Sequence, residues 1–480
     1  MYNDFQLNEQ KPAYLQIKDY LKGLILNGAI QPGSRLPSTR EFSLILKVSR
    51  NTIIQSYQYL EDDGFIYTIK GQGAFVARVE TNSQTGPELN WPALVTEYTH
   101  KSIDLDIEKK ELKWVKDLIS FKSIAPDESL FEMEEFKRAF LNRISINGSK
   151  LLNYGYAKGY KLLIEYLTGY MKNKGVDTGG KDILITNGFT EAFNLMLLAL
   201  TNPGDRVICE NPTHNTAIKI MKLNGLQITG IRMTETGIDP EELEKQLSLG
   251  AYKLGYLIPS YHNPTGIVMP LENRLKIYQS FSRYKIPLLE DGFNEELKFT
   301  GSHVAPLTAL AGTGNNIVYL GSFSKVLFPG IRVGWIMGDS ELISMLESVK
   351  RSLNIHTSTL DQALLLEYLQ TGQFEKYLKK ARKFYREHHQ TAVELAEKYI
   401  PCKRILGEGG LHIFIELEDI NAREVLAECY KRGVLFIPGD IFYVDDNGSN
   451  TFRLGISRVS PAEMQQGFKI IGEVVQSLIK

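Results

Sequence analysis

Four short stretches of this chain carry side chains that ordinary core or surface roles explain poorly. In GSFSKVLFPGIRVGW, Lys325 is flanked by the hydroxyls of Ser322 and Ser324 and followed by Arg332. A lysine in a glycine- and aromatic-rich strand end is not placed like a solvated one, and an amine kept from water can form an imine. LLEDGFNEEL sets Glu290 and Asp291 at the end of an apolar run. Either carboxylate can point inward there, and such acids as often merely cap a helix. YHNPTG offers Asn263, a donor and an acceptor in one side chain, just before a turn. TNGFTEAF puts Gly188 between a strand and a helix, where backbone N–H groups and the helix dipole can hold a phosphate. No one of the four is specific alone.

The elements that must position these residues are legible from about residue 180 onward. Short apolar runs (DILIT, RVICE, LQITGI, LGYLIP, IPLLED, NIVYLGSF) alternate with helical segments over 190–200, 215–224 and 271–284. That alternation predicts a largely parallel sheet covered by helices. Ligands of such sheets sit at the carboxyl ends of the strands, where the four stretches fall. Together they meet the needs of pyridoxal 5'-phosphate: a lysine for an imine, a carboxylate against the pyridine nitrogen, a donor to the ring oxygen and a phosphate cup.

The first eighty residues are built differently. Pro12 can open a helix carrying Tyr14, Ile17, Leu21, Leu24 and Ile25 at helical spacing. Ser38 and Glu41 form a capping box for a second helix, and Ser49 caps a third, in which Ile53, Tyr57 and Leu60 share a face. Arg50, Asn51, Thr52 and Gln55 lie off that face. Phe65–Thr68 and Ala74–Val76 alternate as short strands around a glycine-bearing turn. This order predicts a winged helix-turn-helix. Arginine and asparagine at the start of a recognition helix read guanine and adenine. Between Arg35 and Gln55 four basic residues (Arg35, Arg40, Lys47, Arg50) face one acid, Glu41, a balance suited to phosphate contact.

Through YLQIKDYLKGLIL, GSRLPSTREF, VSRNTIIQSYQYLEDDGFI and GQGAFV this segment resembles the DNA-binding domain of the GntR family of bacterial regulators. The resemblance implies contacts to a double-stranded DNA operator from Arg35, Arg40, Ser49, Arg50, Asn51 and Thr52. It makes Lys70, Gly71, Gln72 and Gly73 the wing tip in the minor groove. Ile54 stands where some members carry a basic residue, which implies fewer bases read directly. The body resembles the fold-type I aminotransferases over roughly 115–480. By that resemblance Lys325 is the Schiff-base lysine and Asp291 pairs with the pyridinium, while Asn263 serves the ring oxygen. Gly188, Phe189, Thr190, Ser322, Ser324 and Arg332 frame the phosphate, and Tyr154 reaches a phosphate across a dimer interface. His214 takes the stacking position and Arg453 the substrate carboxylate. Three departures stand out: Phe293 replaces a tyrosine, His214 replaces the stacking tyrosine, and Phe189 replaces a hydroxyl residue. The first two remove groups that tune and orient the ring, which predicts weak or no transamination.

The fusion as a whole resembles the MocR/GabR-type regulators. The implied layout is 10–79 for the DNA-binding domain, 80–113 for a linker and 114–480 for the body, with a large part of about 155–345 and a small part of about 346–480. The implied function is a regulator that senses an amine or amino-acid effector through external aldimine formation at Lys325, as a head-to-tail homodimer. An active aminotransferase carrying a DNA-binding head, and a direct sensor of the cofactor itself, are the alternatives.

The bulk numbers agree with this layout. At 480 residues, 43% hydrophobic and 23% charged, the chain predicts an ordinary globular protein of about three domains. A net charge of -1 excludes a chain-wide basic surface. Three scattered cysteines predict neither a metal site nor a disulfide framework and fit a reducing compartment. The start MYNDFQLNEQ has no secretion-signal pattern, and no apolar run approaches the roughly 18 residues of a membrane span. A cytoplasmic protein without membrane or metal partners is expected.

Overall fold

The computed structural model of the protein describes residues 2, 5, 7, 8, 11–78, 89–250, 252–299 and 304–479. It divides into two compact units, Met1–Val95 and Thr96–Lys480. Of the expected linker, residues 80–88 lie outside the described residues. From Thr96 onward the chain belongs to the second unit. Its attachment there is physical, because Glu111 accepts from Arg423 at 3.0 Å and the carbonyl of Lys113 accepts from the Tyr430 hydroxyl at 3.1 Å.

The first unit packs three helices, Ala13–Leu26, Thr39–Leu46 and Arg50–Asp62, against a hairpin of Ile66–Ile69 and Gly73–Val76. Ile17, Leu21, Phe42, Ile53, Leu60 and Val76 form its core, each at most 2% exposed or fully buried. The caps expected from sequence are both made. Ser38 accepts from the Glu41 backbone while Glu41 accepts from that of Ser38, and Ser49 accepts from the backbone of Thr52. Lys47 turns the chain between the second and third helices in the left-handed conformation at φ 54°. Gly71 supplies φ 84° at the hairpin tip, where a side chain would be strained.

The second unit is built, among its described residues, on an eight-stranded sheet. Its spatial order is Lys181–Thr186, Gly334–Asp339, Ile317–Ser322, Leu288–Asp291, Tyr252–Leu257, Arg206–Asn211, Gln227–Thr234 and Gly237–Ile238. The run from Ile317–Ser322 to Gln227–Thr234 is parallel, as the βα alternation requires. Gly334–Asp339 is antiparallel to both neighbours, an exception the alternation did not reveal. It follows Ile317–Ser322 directly, without a crossover helix, so it returns beside it. Helices cover both faces through cores such as Phe193–Tyr256–Ile336 and Leu243–Phe281–Leu288. A second, antiparallel sheet of Arg404–Leu406, His412–Glu416, Thr451–Gly455 and Ile437–Pro438 packs under the helices Gln373–Tyr399, Ala422–Lys431 and Pro461–Ile479. Among the described residues no helix is long and apolar enough to cross a membrane.

Candidate functional site

Parallel strands deliver their carboxyl ends to one edge, and Asp291, Asn263 and Lys325 end or follow three adjacent strands there. Lys325 lies in the turn after Ile317–Ser322, half-buried. Its amine is pushed down to about 8, first by burial and then by the charges of Arg453, Arg458 and Arg332. The neutral, nucleophilic fraction near neutral pH is therefore far larger than that of a solvated lysine, although the charged form still predominates.

The neighbouring strand resolves the choice between its two acids. Successive side chains of a strand point to opposite faces. Glu290 turns to the short helix Leu307–Leu310, accepting from the backbone of Leu307 at 2.6 Å and Thr308 at 2.8 Å and from the Thr308 hydroxyl at 2.6 Å. It is a helix cap. Asp291 faces the site, where it accepts from the Tyr256 hydroxyl at 2.8 Å. Burial raises its pKa to about 7 and the nearby Glu210 adds to that rise, against the lowering effect of the Tyr256 hydrogen bond. A carboxylate so placed is stabilised by a cation brought against it. Tyr256 had no signal in the sequence, since it reads as one more apolar position of its strand.

Asn263 follows the strand Tyr252–Leu257 and is 1% exposed. Its carbonyl accepts from Arg453 Nη1 at 2.8 Å, while its amide nitrogen has no partner among the described residues. Arg453 is 7% exposed, far from a solvated strand arginine. It lies over the Phe442 ring at 5.0 Å and donates to the Lys122 carbonyl at 3.3 Å, with Nε left without a partner. Burial lowers its pKa to about 10.

At the other end, Gly188 is the N-cap of the helix Phe189–Leu200, at φ 84°. A Cβ there would stand 3.1 Å from Arg332 Nη2, so the position demands glycine on both counts. Arg332 donates to the Asn187 carbonyl at 2.6 Å. Ser322 Oγ accepts from the backbone of Ser324 at 3.2 Å, and the buried Ser324 hydroxyl has no partner. Thr190, on the first turn, is exposed. His214 packs 5.2 Å from the Phe189 ring. Burial, and then the charges of Lys325, Arg453 and His262, lower its pKa to about 3, so its imidazole is neutral at physiological pH. Tyr154 is 83% exposed beside His356 and is not brought to this site by its own chain.

Lys325, Asn263, Arg453 and His214 line a cavity of about 670 Å³; Asp291 and the residues around Gly188 and Arg332 are not part of its wall. Ile107, Lys113, Trp114 and Lys122 also line it. Ile107 and Lys113 lie in the stretch read as a linker and Trp114 just after it, while Lys122 lies in the body before the first strand of the readable alternation, so spacing carried no signal for any of them.

In the first unit, Arg35, Arg40, Arg50, Asn51, Lys70, Gly71 and Gln72 are exposed. Gly73 sits close under Arg35, whose Nε would be 3.1 Å from a Cβ placed there. Arg50 Nε donates to the Thr39 hydroxyl at 3.3 Å. The hydroxyls of Ser49 and Thr52 are 2.8 Å apart and bond each other as part of the helix cap.

Residues 124–471 match the family described as "Aminotransferase class I and II", and residues 13–76 match "Bacterial regulatory proteins, gntR family". The chain is similar to an uncharacterized HTH-type transcriptional regulator, YisV of Bacillus subtilis, with 29% identity over 98% of this chain and 97% of that one. It is also similar to the probable rhizopine catabolism regulatory protein MocR of Rhizobium meliloti, at 24% identity over 95% of this chain and 92% of that one. Among solved structures, the kynurenine aminotransferase of Pyrococcus horikoshii in complex with PMP superposes with a TM-score of 0.74. That similarity is 28% in identity and covers 82% of this chain and 98% of the other.

Proposed function

The chain belongs to the class I and II aminotransferase family and carries a gntR-family head, and from that premise we propose a cytoplasmic, pyridoxal-phosphate-dependent transcriptional regulator that senses an amine or amino acid. The observation that carries the reading is the convergence of Lys325, Asp291 and Asn263 at adjacent strand ends, with buried polar atoms left unsatisfied around them. The amide nitrogen of Asn263, the hydroxyl of Ser324 and Nε of Arg453 have no partner among the described residues. Buried polar groups are normally paired, so these orphans fit a polar ligand. The residues present fit the cofactor.

Lys325 would hold the cofactor covalently, and Asp291 would pair with its ring nitrogen and lose its own desolvation penalty in doing so. Asn263 would donate to the ring oxygen, and His214, neutral, would lie against the ring. Gly188, Ser322, Ser324 and Arg332 would hold the phosphate at the helix N-terminus, with Phe189 and Thr190 on the first turn beside it. When bound, the cofactor supplies an aldehyde for amine capture and an electron-withdrawing ring. Arg453 would grip an effector carboxylate, and the amine of Lys325, once displaced, is free to accept a proton. Movement of the small part around Arg453 would then change how the head addresses its operator, through Arg35, Arg40, Arg50, Asn51 and the wing at Lys70–Gly73. A ligand does this only by binding one conformation better than the other.

We further propose a head-to-tail homodimer, supported by the exposed cluster of Leu152, Tyr154 and Tyr156. Tyr154 would serve the phosphate of the partner.

A second reading, an active aminotransferase with a DNA-binding head, is favoured by the retention of Lys325, Asp291 and Arg453 together. One experiment separates the two. The holoprotein is mixed with a panel of amines and amino acids while cofactor absorbance, keto-acid release and operator binding are followed. Spectral and operator-binding changes without turnover support the regulator; turnover of order ten per second, an ordinary enzyme rate, supports the enzyme.

A further inference from the structure

The cavity wall is unusual in its charge. Its described residues include four cations, Lys113, Lys122, Lys325 and Arg453, and no carboxylate. On the reading above, Lys325 serves the cofactor and Arg453 the carboxylate next to the reacting amine. Lys122 has interactions of its own. Lys113 is left with no role in that scheme.

Its setting suits ligand recognition. Lys113 is exposed and lines the wall, and its backbone is held, since its carbonyl accepts from the Tyr430 hydroxyl at 3.1 Å. On one side Glu111 is paired with Arg423 at 3.0 Å, and on the other the indole of Trp114 donates to the Leu118 carbonyl at 3.2 Å. A fixed backbone under a long ammonium arm places one positive charge without demanding a rigid geometry. Ile107, Trp114 and Ile441 supply apolar wall nearby, suited to a short methylene spacer.

We propose that the effector is an amino acid bearing a second anionic group, and that Lys113 is the residue that selects for it. The inference rests on the amine-sensing reading above and names the ligand class for the same site. It also places ligand selection on the segment that follows the DNA-binding unit in the chain, 18 residues after the unit boundary at Val95. Occupancy of the site is then registered by the stretch of chain that leads from the head.

The test is a calorimetric and absorbance titration of the full-length holoprotein with L-glutamate and L-2-aminoadipate against L-glutamine and L-norleucine. At least one acidic probe should bind tenfold or more tightly than both neutral ones. Lys113→Gln should reduce that ratio at least fivefold, and Lys113→Arg should retain most of it. Equal or tighter binding of the neutral probes, or an unchanged ratio in Lys113→Gln, overturns the assignment. If the neutral probes perturb the cofactor spectrum as strongly as the acidic ones, amine sensing stands and only the acidic selectivity falls. If none of the four probes perturbs it, this inference falls, and amine sensing is then decided by the wider panel of amines.

Discussion

Arg453 and Arg50 are both guanidinium groups assigned to anionic partners, in surroundings that differ in nearly every respect. Arg453 is 7% exposed, lies over an aromatic ring and holds the carbonyl of Asn263. Arg50 stands exposed at the start of a helix and makes one long contact to Thr39. Arg453 is buried in the cavity wall, so its charge is strongly coupled to its neighbours. The face of the head stays in water until DNA arrives, and its contacts act nearly independently and are screened by salt. Single changes in the body should therefore be severe and cooperative, and those in the head modest and additive.

The largest effect tests the buried side. Lys325→Ala should abolish covalent retention of the cofactor, read as loss of the pyridoxyl-modified peptide after borohydride reduction. A reducible link to protein that survives this change, without added amine, would break the assignment.

Asp291 gives the next effect, and it depends on pH. With its pKa raised to about 7 from an ordinary 3.8, the folded apo protein binds a proton that the unfolded chain releases. Stability therefore falls as pH rises from about 4 to 7, by up to roughly 4 kcal/mol. A cation against Asp291 removes that penalty. The gain in Tm on adding pyridoxal phosphate should consequently grow between pH 5 and 8, and in Asp291→Asn it should grow less, since only the deprotonation of Lys325, pushed down to about 8, then contributes. Glu290→Gln, which loosens a helix cap instead, should lower Tm equally with and without cofactor.

Arg453→Gln should weaken binding of a carboxylate-bearing effector by about 2–3 kcal/mol, the range for a buried charged hydrogen bond. Its effect on an amine lacking a carboxylate should be much smaller. Equal losses for both would remove the contrast between the two arginines. Arg50→Ala should cost about 1–3 kcal/mol in operator binding if it contacts a base, and leave cofactor retention unchanged. The smallest effect concerns the missing phenol. Phe293→Tyr should speed a slow half-reaction by up to about tenfold, the worth of one hydrogen bond. No change would leave His214, the other departure expected to weaken transamination, as the one that limits chemistry.

Much of this was legible beforehand. In the body each expected strand and helix of the 180–323 stretch is present within a few residues, because βα units are local and their apolar periods are strong. In the head the caps at Ser38 and Ser49 could be read because a cap involves residues three apart. The linker stretch could not be read, since its helices Trp91–Leu94, Glu97–Asp104 and Ile107–Lys110 are too short for a periodic signal and it is tied down by scattered bonds such as Glu111 to Arg423.

The sequence by itself determined the two architectures, the order of the strands along the chain, and which strand ends carry Lys325, the acidic pair and Asn263. These follow from short-range rules of backbone sterics, capping and periodicity. Only the tertiary structure decided that Asp291 and not Glu290 faces the site, that Tyr256 supports it, and that Arg453 meets Asn263 from 190 residues away. Only it made Lys113 part of a cavity wall. Those outcomes depend on the register between strands and on packing between distant segments. A side chain's neighbours across a sheet are set by the whole fold, and nothing in its local spacing encodes them.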